Sequence, residues 1–394
     1  MKKERVLIVH NYYQISGGED TVVANEKEML EDNGHEVFMY TRHNSEIKEK
    51  GIMGKLLLPF ETIYSFKTIR DIKKIVKNKK IDIVHVHNTF PLISPSIYKV
   101  SKKCGVKLVQ TIHNYRLICA GAMLYRNENI CIKCIGNNKK YAMKYKCYRN
   151  SYIQTGLVLV SNYINKRIKS FENVDKYICL SEFSKGKISS FIEPSKIVIK
   201  SNFEDYDKKI NYNNSKRNYF LYIGRLDKTK GIDILIKAWE KLKKEKLIVI
   251  GTGDLENEIK DYISKFKLDN IELKGRLQKD DAMEYIYEAK SLIFPSQCYE
   301  TFGLVIIEAL KRGTPVIVND IGNISELVEN DRCGYLSIIN DENSMYNAIN
   351  NFNELYEADY YDNKYIHDIY RFKYGKEENY NILNHIYSSI KEKR

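Results

Sequence analysis

The sequence contains no run of about 18 consecutive apolar residues, which excludes a membrane-spanning helix. It lacks G-x-G-x-x-G and G-x4-G-K-S/T, so dinucleotide oxidoreductases and P-loop enzymes fall away. Zinc-finger spacing, an RNP-type motif and a helix-turn-helix signal are also missing, and nothing therefore singles out nucleic acid as a partner. The opening MKKERVLIVHNYY has one strand's length of apolar residues, carries a histidine and is followed by no small-residue cleavage site. It reads as a first strand and not as a secretion signal, so a cytoplasmic protein is expected.

Charge, in contrast, is abundant. The 64 Lys and Arg exceed the 51 Asp and Glu, for a formal +13, and such a field favours anionic partners: nucleic acid, anionic lipid or a phosphorylated small molecule. With 43% hydrophobic and 29% charged residues the composition is that of a soluble globular protein. At 394 residues the chain fits two domains of about 200 residues, with a cleft between them.

Short β-branched runs alternate with longer amphipathic segments, the pattern of parallel sheets crossed by helices. It occurs twice. The first series predicts strands at 5 to 13, 35 to 42, 81 to 88, 107 to 114, 176 to 181 and 197 to 202; the second at 219 to 226, 246 to 253, 271 to 277, 291 to 296, 315 to 320 and 334 to 338. The polar stretch 203 to 218 reads as an interdomain hinge. The expected architecture is α/β, two doubly wound domains: residues 1–203 with an insert at 115–150, then 204–375, then a C-terminal helix over 376–394 that packs back on the first domain. In such sheets ligands lie beyond the carboxyl ends of the strands.

Two segments put chemistry at those ends. In FPSQCYETFGLVIIEALKRGTPVI, Glu300 stands in a loop and Glu308 inside a helix that Gly303 opens and Gly313 closes. The helix start suits an anion, Gly303 permits close approach, and two carboxylates can accept hydrogen bonds from hydroxyls beside a phosphate. In YIGRLDKTKG, Arg225 and Lys230 follow a strand, as a diphosphate would require. Each feature alone also fits a solvated helix face or ordinary surface charge.

Taken in order, GRLDKTKG, GTGD, GRL, FPSQCYETFGLVIIEALKRGTPVIVND and IGNISELV resemble glycosyltransferase family 4, retaining nucleotide-sugar transferases of GT-B fold with two Rossmann-like domains. The resemblance implies that Arg225 and Lys230 hold the donor's diphosphate, Glu300 meets donor-sugar hydroxyls and Glu308 the nucleotide ribose, while amides near Phe302, Gly303 and Leu304 cradle the distal phosphate. It also implies a phosphate-facing loop at Gly17 and Gly18, and His113 beside the donor sugar. Asn323 departs from the family's second glycine. A metal-independent hexosyltransferase of surface polysaccharide, capsule or exopolysaccharide assembly is the implied activity, acting on a saccharide or lipid-linked acceptor at the inner face of the plasma membrane. A non-catalytic sugar-nucleotide-binding subunit and a GT-B sugar-nucleotide epimerase are the alternatives.

The insert holds Cys119, Cys131, Cys134 and Cys147, whose spacing in a reducing compartment suits a structural zinc cage, free thiols or, least of all, disulfides. Its Lys139, Lys140, Lys144, Lys146 and Arg149, interleaved with tyrosines, suit an anionic membrane surface or a lipid pyrophosphate, or simply water. His85 and His87 share a strand face; a metal pair is conceivable, and a plain strand is the simpler reading. Cys104, Cys179, Cys298 and Cys333 read as ordinary buried thiols.

Overall fold

The computed structural model describes residues 3–14, 17–204, 218–328 and 331–392. The hinge read at 203 to 218 lies outside the described residues except for its ends. Contacts divide the chain into two compact units: residues 1–123, 132–202 and 376–394 form the first, and residues 124–131 and 203–375 the second.

All twelve predicted strands are present; the one expected at 35 to 42 keeps its length, shifted by one residue, and the others are one to four residues shorter than their apolar runs. In the first unit, β1 (Arg5–Tyr12), β2 (Glu36–His43), β3 (Ile83–Val86), β4 (Lys107–Thr111), β7 (Lys176–Cys179) and β8 (Ile197–Ile199) form one parallel sheet in the order β2-β1-β3-β4-β7-β8. Every residue of β3 is buried, as expected for a strand covered by helices on both faces. The covering helices follow simple rules. Helix α1 (Gly18–Asp32) starts where Asp20 accepts the Gly17 N–H. The helix Phe66–Lys79 starts at Ser65, whose hydroxyl accepts the Thr68 N–H, and buries Ile69, Ile72 and Val76 at helical spacing. The C-terminal helix (Lys376–Glu392) lies against α1 and the sheet, with Lys376 on Asp32 at 2.7 Å, the Tyr380 hydroxyl on His35 at 3.0 Å and Tyr387 buried.

In the second unit, β9 (Tyr219–Ile223), β10 (Lys246–Ile250), β11 (Ile271–Gly275), β12 (Ser291–Phe294), β13 (Val316–Asn319) and β14 (Gly334–Ser337) pair in parallel as β11-β10-β9-β12-β13-β14. Its core centres on Trp239, fully buried edge-on to Phe220, which also meets Phe352. The indole N–H donates to the Glu245 carbonyl, which satisfies the one polar atom buried with it. Inside the insert expected to belong to the first domain, residues 124–131, with a short hairpin of β5 (Tyr125–Arg126) and β6 (Asn129–Ile130), group instead with the second unit.

Candidate functional site

Strand order locates the site in the second unit. The chain starts the sheet at β9, builds outward to β10 and β11, and then returns to the other side of β9 to lay down β12, β13 and β14. The loops after β9 and β12 therefore leave the sheet in opposite directions and open a crevice between them, the general ligand position in such sheets. Lys230 stands in the first of these loops and Glu300 in the second. They meet at 2.5 Å.

The two loops are fixed by backbone contacts that only glycine allows. Gly231 has φ +67, and a Cβ there would lie 2.0 Å from the Pro295 carbonyl oxygen. The Gln297 N–H donates to the Thr229 carbonyl, and Asp227 caps the Lys228–Lys230 turn by accepting from the Thr229 and Lys230 amides. Gly251, of GTGD, has φ +142, and a Cβ would lie 1.9 Å from the Gly224 carbonyl oxygen. The two glycine-containing motifs are thus one packed layer.

Within the crevice, Glu300 also accepts from the Ser296 hydroxyl at 2.7 Å. Burial alone would raise its pKa, yet the Lys230 ammonium and the Ser296 bond hold it below the ordinary carboxylate value. Reciprocally, burial would lower Lys230, and Glu300 raises it. Both side chains keep about one-fifth of their surface open, at 20% and 18%. Arg225 is open at 63% and touches Asp227 at 3.1 Å. The pair is therefore charged, reachable and flanked by a second cation.

The other residues of this segment are placed as follows. Gly303 has φ +105 and its missing Cβ faces Ile324, Ile306 and Leu327, so backbone shape and apolar packing account for the glycine there. Phe302 is buried edge-on to Tyr374. Leu304 begins the short helix Leu304–Leu310. Asn323, fully buried, donates its amide to the Phe302 carbonyl at 2.6 Å and so ties the helix Asn323–Leu327 to the loop. Glu308 is buried against Glu204, with Lys279 and Arg312 nearby. Burial, reinforced by the Glu204 charge, pushes Glu308 up to about 7.

In the first unit the corresponding strand reversal lies between β1 and β3. Gly17 and Gly18 follow β1 and are exposed, with open space where a Cβ would stand. His113 follows β4 and stacks on His87, with His87 Nδ1 and His113 Nε2 2.9 Å apart. Behind them lies a buried group: Glu26 of α1 approaches His85 at 2.9 Å, His87 at 3.3 Å and Lys200 at 3.0 Å, and His85 meets the Tyr387 hydroxyl at 2.8 Å. Burial would raise Glu26, but Lys200, His85 and His87 hold it well below the usual carboxylate range, while burial drives His87 down to about 4. Glu26 and Lys200 carried no sequence signal, being single polar residues in an amphipathic helix and after a strand.

Of the four cysteines expected to be buried thiols, three are buried and one is not. Cys104 is exposed, ending a surface helix, whereas Cys179, Cys298 and Cys333 are buried. Among the described residues the one cluster of three groups with metal-ligand geometry is Glu26, His85 and His87. Cys119, Cys131 and Cys147 are half-buried and Cys134 buried, all as thiols not joined in disulfides.

Two parallel Rossmann-like sheets, each with its distinctive residues on the loops beyond the strands' carboxyl ends, define a GT-B glycosyltransferase fold. Comparison with known proteins agrees: residues 16–208 match the family described as Glycosyltransferase Family 4 and residues 203–365 that described as Glycosyl transferases group 1. The chain belongs to these glycosyltransferases and is a transferase enzyme. It is 26% identical over 344 residues to an uncharacterized glycosyltransferase of Methanocaldococcus jannaschii, covering 86% of each chain. It is 25% identical over 310 residues to the UDP-Gal:alpha-D-GlcNAc-diphosphoundecaprenol alpha-1,3-galactosyltransferase of Escherichia coli, covering 73% of this chain and 70% of that one. Its fold superposes on Anabaena HepE in complex with UDP with a TM-score of 0.67 at 15% identity, covering 98% and 100% of the two chains. Polysaccharide and lipid-linked sugar assembly is the setting these relatives define.

Proposed function

We propose that the enzyme transfers a sugar from a nucleotide-diphosphate donor, with retention at the anomeric carbon, to a saccharide or lipid-linked acceptor of a surface polysaccharide. The observation that carries this reading is the Lys230–Glu300 pair at the strand reversal between β9 and β12, with Arg225 beside it. A diphosphate needs cations with fixed geometry, and a sugar needs a charged acceptor for its hydroxyls; the crevice offers both. UDP in the Anabaena structure and the UDP-galactose donor in the Escherichia coli enzyme's name are consistent with such a ligand.

In this mechanism Arg225 and Lys230 face the diphosphate, and Lys230 exchanges part of its contact with Glu300 for a phosphate oxygen. Glu300 then accepts from donor-sugar hydroxyls, and Glu308 from the ribose once its side chain turns from Glu204. Amides near Phe302, Gly303 and Leu304 take the distal phosphate. The bond between the anomeric carbon and the diphosphate oxygen breaks with its electron pair going to that oxygen. The acceptor hydroxyl oxygen bonds to the anomeric carbon on the same face, and its proton passes to the departing phosphate oxygen. Preorganised cations stabilise the charge that develops there.

The test is a melting-temperature screen against nucleoside diphosphates and nucleotide sugars, followed by product analysis with and without acceptor. A nucleotide sugar that raises the melting temperature and yields an α-configured product from an α-configured donor supports the reading. An inverted product overturns retention, and an isomerised sugar nucleotide formed without acceptor overturns transfer in favour of epimerisation.

A further inference from the structure

The first unit carries an apolar face turned to solvent. In the helix Ile52–Ile63, Ile52, Met53, Leu56, Leu57 and Phe60 are between 52% and 82% exposed, and Thr62 is its buried residue. Their spacing puts them on one side of the helix. The helix Tyr152–Arg167 packs against it and exposes Ile153, Val160 and Tyr163 in turn. Contiguous apolar surface of this kind is rare on soluble monomers and marks a surface made to be covered.

Beside it is a cavity of about 400 Å³. Leu117, Leu159 and Phe191 give it an apolar wall, and Arg116, Lys139, Lys166 and Arg167 line it with cations; no acidic residue is among the described lining. Tyr163 belongs both to the cavity lining and to the exposed face. The Lys139 ammonium is held in place by the Ile118 and Cys134 carbonyls, at 2.7 and 2.9 Å. Arg116 lies over the Phe90 and Tyr148 rings at 4.3 and 5.2 Å, and its Nε and Nη1 are buried without a hydrogen-bond partner. Buried guanidinium donors left in this way call for an acceptor. The neighbouring carboxyl is Glu19, which burial and Asp20 push up to about 8 against the pull of Arg116.

We propose that this cavity seats the phosphate-bearing head of a bilayer lipid, with the apolar face of helices Ile52–Ile63 and Tyr152–Arg167 resting in the headgroup layer of an anionic membrane. Apolar residues flanked by Lys and Arg are what such a surface recognises. The cavity matches an amphiphile, cationic where the phosphate sits and apolar along its wall. That the lipid is the sugar acceptor rests on the transfer reaction proposed above; the binding itself does not.

The experiment uses the full chain without donor. Sedimentation with phosphatidylcholine vesicles, with and without phosphatidylglycerol, should show binding that is roughly tenfold or more stronger to the anionic vesicles. Leu57→Glu with Phe60→Glu should abolish it, and Lys166→Glu with Arg167→Glu should weaken it by a similar factor; all four side chains are exposed, so the fold should survive, as a melting curve would verify. Monomeric dodecyl phosphate should raise the melting temperature of the unchanged chain and fail to do so in Lys166→Glu with Arg167→Glu. An equal rise with inorganic phosphate would mean a free-phosphate site and overturn the lipid assignment. Vesicle binding untouched by either double variant overturns the proposal, as does a dimer in light scattering that Leu57→Glu with Phe60→Glu dissociates while vesicle binding persists. UDP-induced stabilisation measured on the same variants stays unchanged under this proposal, and its absence in every sample would count against the donor reading alone.

Discussion

Lys230 and Glu300 hold each other charged at 2.5 Å in a crevice where each keeps about one-fifth of its surface open. Pairs so arranged are poor contributors to stability, because desolvation offsets much of their attraction. Their value lies in preorganisation. Glu300→Ala is expected to depress transfer about 100-fold or more, the scale of losing one electrostatic group in an active site, while melting temperature moves only a few degrees. Equal losses in both, measured by steady-state turnover and calorimetry, would refute the assigned role. Glu308 gives a prediction of different sign. Its folded pKa of about 7 lies above the ordinary 4.5, so the folded state binds its proton more tightly. The stability this gives is complete below about pH 4.5 and is lost as pH rises through about 7. Glu308→Gln, which cannot ionise, should therefore gain on the unchanged chain in melting temperature between those limits; parallel curves would contradict the burial of that carboxyl.

At the scale of elements, the site is a junction of loops and not a property of any one of them. Gly231 and Gly251 combine positive φ with a carbonyl oxygen 2.0 and 1.9 Å from the Cβ position, so a methyl group at either must push the β9 loop off its neighbour. Gly231→Ala should cost about 2 to 4 kcal/mol of stability, from strain and displacement together, and reduce donor binding along with it, read by denaturant melts and nucleotide titration. Asn323 shows how a departure from a family pattern is absorbed. Its side-chain amide bonds the Phe302 carbonyl, so Asn323→Gly is expected to lose about 1 kcal/mol and to loosen the Phe302–Leu304 amides, visible as faster amide hydrogen exchange there. The twelve strands were legible because strands buried on both faces must be nearly all apolar, as β3 and β13 are. Their ends were less so, since apolar residues continue into the loops after a strand, where Pro295 and Ser296 already serve the site.

At the scale of the whole molecule, the C-terminal helix belongs with the first unit. Leu383, Tyr387, Ile386 and Ile390 are all buried, and the Tyr387 hydroxyl reaches His85 in the middle of the sheet. Ending the chain at Gly375 should destabilise the first unit and leave the second folded, detected as a new early transition in calorimetry; a single unshifted transition would be the contrary result. Under that helix, Glu26 and Lys200 form a fully buried ion pair, and Lys200→Met should cost about 3 to 5 kcal/mol because it strands the Glu26 charge.

By itself the sequence determined what is local and periodic: two series of parallel strands, glycines at their ends, and Arg225, Lys230, Glu300 and Glu308 on or beside the loops where such sheets bind ligands. Strand alternation and loop chemistry depend on neighbours along the chain, and these can be read from letters in order. Which carboxylate meets which cation was decided only by the tertiary structure, which set Glu300 on Lys230, turned Glu308 to Glu204 and brought Glu26 to Lys200 across 174 residues. Those pairings arise from strand order and packing, where distance in space no longer follows distance in sequence.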